Sequence, residues 1–101
     1  MSGVQVVQAA DEIQLVFDPV LDILGARNLY SQLNSVLANG TLLVLDAGRV
    51  ERVDTAVLQL LAAFCGATRD AGLSLRWRAV SPALRDAAAV LGLTDTLGRF
   101  Q

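Results

Sequence analysis

The sequence predicts a small α/β domain: a four-stranded mixed sheet in the order β-β-α-β-α-β-α, with helices packed mainly on one face. Three observations carry that expectation. Leu42, Leu43, Val44 and Leu45 form an uninterrupted apolar run between Gly40 and Gly48, apolar on both faces of a period-two pattern, as expected of a strand in the middle of a sheet. On either side of it, stretches of helical and strand periodicity alternate, which implies parallel neighbours joined by right-handed crossovers. The chain has 101 residues, 53% of them hydrophobic, enough for one modest core and too few for two, so residues 1–101 read as a single domain.

Val4 to Ala9 is a short β-prone run, and Asp11-Glu12 reads as the turn after it. Ile13, Leu15 and Phe17 then alternate with Gln14 and Val16, giving a second strand with one buried face; the short separation makes the pair antiparallel. Asp18-Pro19 punctuates the chain and Asp22 is placed to cap a helix. From about Ile23 the apolar positions Ala26, Leu29, Tyr30, Leu33, Val36 and Leu37 follow the i, i+3, i+4 spacing of a helix stripe, stopped by Asn39-Gly40. The central strand follows and ends at Asp46. After a loop, a nearly all-apolar helix runs from Ala56 to Ala67 and closes at Gly72. Leu73, Leu75, Trp77 and Ala79 alternate with Ser74, Arg76 and Arg78, which puts Trp77 and Ala79 on the packed face and both arginines on the open one. Ser81-Pro82 opens the third helix, with serine as cap and proline in the first helical position. Leu84, Ala87, Ala88 and Leu91 form its buried stripe, Gly92 stops it, and Leu93 to Leu97 adds a last turn.

Composition narrows the function. The eight basic residues are all arginines spread along the chain, and the net charge is −2, so nucleic acid is not an expected partner. Apolar stretches are broken well short of the ~20 residues that span a bilayer, and MSGVQVVQAADE lacks the features of a secretory signal, so no membrane insertion and a cytoplasmic location are expected. The sequence contains no histidine and one cysteine, Cys65, which rules out Ser-His and Cys-His catalysis, histidine-ligated metals and an internal disulfide. No glycine-rich phosphate loop is present. Asp46 and Asp54 have no third ligand to make a magnesium site and read as a strand-end turn and a helix cap. No enzyme activity, cofactor or metal is expected.

The most informative stretch runs from the central strand into the second helix. Asp54-Thr55 stands directly before the apolar segment, where a side-chain oxygen can accept from the free N–H groups of the first turn. Thr55 therefore reads either as a plain N-cap or as a hydroxyl presented for modification at the positive end of the helix. If Val57, Leu61, Phe64, Cys65 and Thr68 face the sheet, then Gln59, Ala63, Gly66 and Ala67 face outward. Such a surface of small uncharged side chains lets a partner's backbone approach closely.

With these residues in place, the chain resembles the STAS domains (sulfate transporter and anti-sigma factor antagonist). These share the element order and carry a buried strand ending in Asp, a loop, and an Asp-Ser/Thr pair opening a hydrophobic helix, often as D-S-S-G-L or D-T-G-G-L. The corresponding residues are Asp46 and Asp54-Thr55-Ala56-Val57-Leu58, with Val57 where the family pattern has glycine; Ala71-Gly72, Val80-Ser81-Pro82 and Gly92-Leu93 are also similar. The resemblance implies a STAS-type fold and a bacterial signal-transduction module in which Thr55 is phosphorylated by a partner kinase. It also implies a partner-binding surface of Asp46, Arg49, Arg52, Asp54, Thr55, Ala56, Gln59 and Ala63. The implied partner is a kinase-type anti-sigma factor. Alternatives are the ATPase of a lipid-asymmetry ABC transporter, to which this would be a cytoplasmic regulatory subunit, or another signalling protein of a chemotaxis-type system. A homodimer also fits the reading.

Overall fold

A computed structural model of the chain describes residues 4–9, 11–39 and 42–98. The strands are β1 (Val4–Gln8), β2 (Glu12–Phe17), β3 (Val20–Leu21), β4 (Leu42–Ala47), β5 (Arg52–Val53) and β6 (Leu75–Val80). The helices are α1 (Ala26–Asn39), α2 (Thr55–Asp70), α3 (Pro82–Val90) and the single turn α4 (Thr94–Leu97), with a 3₁₀ turn at Ile23–Gly25 leading into α1. The main sheet has the order β1-β2-β4-β6. β1 is antiparallel to β2, and β2, β4 and β6 are mutually parallel.

One pleat face of the sheet makes the core. Ile13 and Leu15 lie in register with Leu43 and Leu45, and Leu45 with Trp77, while Phe17 on the same face pairs with Val4. Against them pack Leu29, Leu33 and Val36 of α1, Val57, Leu58, Leu61, Phe64 and Cys65 of α2, Leu84 and Ala88 of α3, and Leu97 of α4. Each large apolar side chain buried there contributes about 1.5–3 kcal/mol. Thr68 also lies in the buried stripe, where its hydroxyl donates to the Cys65 carbonyl at 2.7 Å and so meets no unsatisfied burial. β4 is buried on both faces: Val44 points away from the helical core yet is buried, flanked across the sheet by Gln14 and Arg76. Arg78 reaches over that face to Gln14 Oε1 (3.4 Å) and Glu12 (3.9 Å).

Several expectations need correction. β4 does not end at Asp46 but continues to Ala47. A register shift between Leu45 and Asp46 pairs Leu45 with Trp77 but Asp46 with Ala79, leaving Arg78 as an extra residue in β6. That bulge breaks the alternation, so Val80 rather than Ala79 joins Trp77 beside the core. Tyr30 and Leu91, read as stripe residues, are exposed, and the segment at Ile23 is a 3₁₀ turn whose Ile23 side chain is 58% exposed. Asp22 does cap, accepting from the Gly25 N–H at 3.3 Å. Ser81 caps α3 by accepting from the Leu84 N–H at 3.1 Å, with Pro82 in the first turn. Gly72 and Gly92 take positive φ (76° and 69°) just past α2 and α3, where any other residue would be strained. The stop expected at Gly40 lies outside the described residues.

Candidate functional site

The loop between β4 and α2 is held at both ends by backbone bonds. Asp46, the penultimate residue of β4, accepts at Oδ1 from the Gly48 N–H at 3.0 Å, closing a tight side-chain turn. Gly48 passes so near β6 that an added Cβ would sit 3.1 Å from that of Ala79. The following residues join a second, two-stranded sheet: β5 pairs in parallel with β3. The amides of Glu51 and Arg52 donate to the Pro19 carbonyl, and that of Asp54 to Leu21. The segment from Gly48 to Asp54, expected as a loop, thus contains a short strand. Two-residue strands carry no periodicity, so no signal was there to find.

Asp54 stands at the N-cap position with extended backbone, but its side chain makes no cap bond. Instead its Oδ2 accepts from the Ile23 N–H at 3.1 Å and its Oδ1 lies 3.9 Å from Arg52. The carboxylate thus ties the 3₁₀ turn to the start of α2 rather than closing the helix. Thr55 is not the cap either: it is the first residue of α2 and is exposed. The first bond into the helix runs from the Leu58 N–H to the Asp54 carbonyl. The amides of Thr55, Ala56 and Val57 therefore have no partner within the helix, at the same end where Thr55 is exposed.

Of the residues expected on the partner surface, Arg49, Arg52, Thr55, Ala56, Gln59 and Ala63 are exposed, while Asp46 and Asp54 are half-buried in the turns described. Gly66 and Ala67, read as outward, are also half-buried, so the open face of α2 fades toward its C-terminal half. Val57, where the STAS resemblance leads one to expect glycine, is buried at 1% exposure.

Two apolar grooves that the sequence did not reveal flank the site. One, of about 630 Å³, runs between β3, the 3₁₀ turn and α2 and includes Pro19, Val20, Leu24 and Val57; Leu24 is 90% exposed. The other, of about 240 Å³, brings Thr55 together with Val53, Asp86, Ala87, Val90 and Leu91, and Val90 is 84% exposed. Ile23, expected at the start of the first helix, lies instead in the 3₁₀ turn, and both it and Leu24 beside it are exposed.

The chemistry at the site is limited. Among the described residues no group of three potential ligands gathers to hold a metal. Cys65 is buried, and burial pushes its thiol up to about 12 despite the opposing influence of Arg69. No described helix is long and apolar enough to cross a membrane.

A four-stranded mixed sheet with helices on one face, and an Asp-Thr pair opening the helix after its central strand, define a STAS-type domain. The family described as "Mlab, STAS domain" matches residues 4–99, and the chain belongs to it. Among solved structures, it is similar to an anti-sigma factor antagonist from Mycobacterium paratuberculosis (TM-score 0.77, 22% identity, 96% of this chain and 83% of that one). It is also similar to the anti-sigma factor antagonist SpoIIAA in its unphosphorylated form (TM-score 0.73, 13% identity, 91% and 83% coverage). Mglu aligns over 75% of this chain but only 19% of its own (TM-score 0.66, 22% identity). At these identities the likeness is one of fold. No curated protein matches.

Proposed function

We propose that this protein is a non-catalytic docking module of the anti-sigma factor antagonist type, switched by phosphorylation of Thr55. The observation that carries the reading is the exposure of Thr55 as the first residue of α2, at a helix end whose amides the Asp54 carboxylate leaves uncapped. A phosphate there gains about 0.3–1 kcal/mol from the helix dipole and finds free donors. Asp54 and Asp86, which shares a groove with Thr55, oppose it by like charge. The phosphate therefore changes the charge of the surface rather than the shape of the fold. The docking surface is the 48–54 loop with Arg49 and Arg52, the start of α2 with Ala56, Gln59 and Ala63, and the exposed apolar side chains on either side. The partner is a kinase-type anti-sigma factor.

The family match favours a second reading, in which the same surface binds the ATPase of a lipid-trafficking ABC transporter. Co-purification with mass spectrometry separates the two: a histidine-kinase-like ATPase supports the first, and an ABC ATPase supports the second. Titration of the recovered partner then tests the surface. Thr55→Glu and Ala63→Arg are expected to melt within about 0.5 kcal/mol of the parent, as exposed substitutions do, yet to bind at least tenfold more weakly. Thr55→Ala is expected to bind like the parent. Tight binding by Thr55→Glu would move the docking surface elsewhere.

A further inference from the structure

We propose that the free edge of β1 is a self-association site, at which two copies join through antiparallel β1–β1 pairing into one continuous sheet. The two edges of the main sheet differ in kind. Edge strand β6 carries Arg76, Arg78 and a bulge, the features that discourage pairing with another chain. Edge strand β1 reads Val-Gln-Val-Val-Gln, with no charge, no proline and no bulge. Val6 and Val7 stand 39% and 47% exposed on its two faces.

The hydrogen-bond phase of β1 shows which backbone groups are free. Ala9 donates to the Glu12 carbonyl at 2.9 Å, so the Ala9–Glu12 pair is a bonded one. Bonded pairs recur at every second residue, which turns Val7 and Gln5 toward β2 and leaves Val4, Val6 and Gln8 directed to the open edge. An independent contact agrees: Gln32 of α1 reaches around to donate to the Val4 carbonyl at 3.3 Å, which requires that carbonyl to point outward. Val4 is thus already engaged, and the groups left for a partner are the N–H and C=O of Val6 and Gln8.

Those two residues select the occupant and the register. In a two-fold arrangement centred on Val7, Val6 of one copy faces Gln8 of the other and each pair exchanges both backbone bonds, while Gln32 keeps its hold on Val4. The two Val7 side chains meet in the closer, non-bonded position on the same face, about 4.5 Å apart at Cα, and bury each other. An uncharged strand offers nothing to select a charged partner, whereas a second copy brings the same uncharged side chains and the same outward backbone groups at Val6 and Gln8. The two Gln32 contacts then lie about six residues apart along the paired strands, or about 20 Å, so the helices covering the Val4 ends occupy opposite ends of the junction. The β1 edge is separate from the start of α2, so this inference stands independently of the docking function.

Sedimentation equilibrium from micromolar to near-millimolar protein is the test. The parent is expected to pass from monomer to dimer within that range. Val6→Pro removes an outward N–H without touching the β1–β2 bonds, and is expected to weaken dimerisation at least tenfold. Val7→Lys places like charges across the two-fold axis and is expected to do the same, and it serves as the probe should the proline variant misfold. Amide exchange at Val6 and Gln8 is expected to slow as concentration rises, while that at Val7, already bonded to β2, is not. A parent that stays monomeric throughout, or a dimer that survives in a folded Val7→Lys variant, overturns the proposal.

Discussion

Removing the Asp54 carboxylate separates two roles that the sequence merges. By position Asp54 is the N-cap of α2, and an ordinary cap lost to alanine costs about 1 kcal/mol through the amides of the first helical turn. In the structure that carboxylate accepts instead from the Ile23 N–H, thirty-one residues earlier, at 3.1 Å. A hydrogen bond to a charged group contributes about 1.5–3 kcal/mol. This one is solvent-exposed, and the freed Ile23 N–H would be met by water, which brings the expected loss down to about 1 kcal/mol. The ion pair with Arg52, at 3.9 Å and with the arginine side chain 70% exposed, adds little. Asp54→Ala is therefore expected to lower Tm by about 4–8 °C for a domain of this size. Asp54→Asn keeps an acceptor and is expected to lose less than half of that. Melting alone cannot distinguish the roles, because a cap would cost the same. Amide exchange can: the tether predicts faster exchange at Ile23 and little change at Ala56 and Val57. Unchanged exchange at Ile23 with acceleration at Ala56 and Val57 would refute the argument and restore Asp54 as a plain cap.

Trp77 is 7% exposed and its indole N–H donates to the Leu97 carbonyl at 2.7 Å, so native fluorescence should be blue-shifted and poorly quenched by iodide. Trp77→Phe should cost about 2–3 kcal/mol in urea denaturation, because a buried carbonyl loses its donor and a void is left; a cost near zero would show that α4 does not depend on that bond. Cys65 should resist thiol reagents at pH 8 in the native state and react once the chain is unfolded, because burial holds its thiol near 12. Since the folded state keeps that proton more tightly than the unfolded chain, this contribution to stability is complete below about pH 9. It is lost as pH rises toward 12, at up to about 1.4 kcal/mol per pH unit. Cys65→Ala should flatten stability between pH 9 and 11 relative to the parent, and equal slopes would show that the thiol is not the group responsible.

The parts of the fold that were legible are those where one face is buried over several residues. Ile13-Leu15-Phe17, the run around Val44, and Val57-Leu61-Phe64-Cys65 each show their partner surface in their own periodicity. Caps and stops written in single residues, such as Ser81-Pro82, Gly72 and Gly92, were also readable, because their chemistry is local. Ala79 was misplaced because a bulge is decided by how β6 meets β4, and the alternation in the sequence runs straight through it. Tyr30 and Leu91 were misjudged because apolar character marks what can be buried, while burial itself depends on which elements arrive to cover it.

By itself the sequence determined the α/β class, the central strand and the place of the Asp54-Thr55 pair at the head of α2, since these follow from spacing and propensity within one segment. Only the tertiary structure decided what that pair does. The Asp54 carboxylate had two acceptable donors, the near amides of its own helix and the amide of Ile23, which is adjacent only after β3 and β5 pair. A capping rule describes the first and cannot see the second. The choice between them leaves the amides beside Thr55 uncapped and ties the turn that carries the exposed Ile23 and Leu24 to the start of α2. It rests on two short strands whose pairing no residue pattern announces, because two-residue strands are stabilised by the chain they join and not by their own composition.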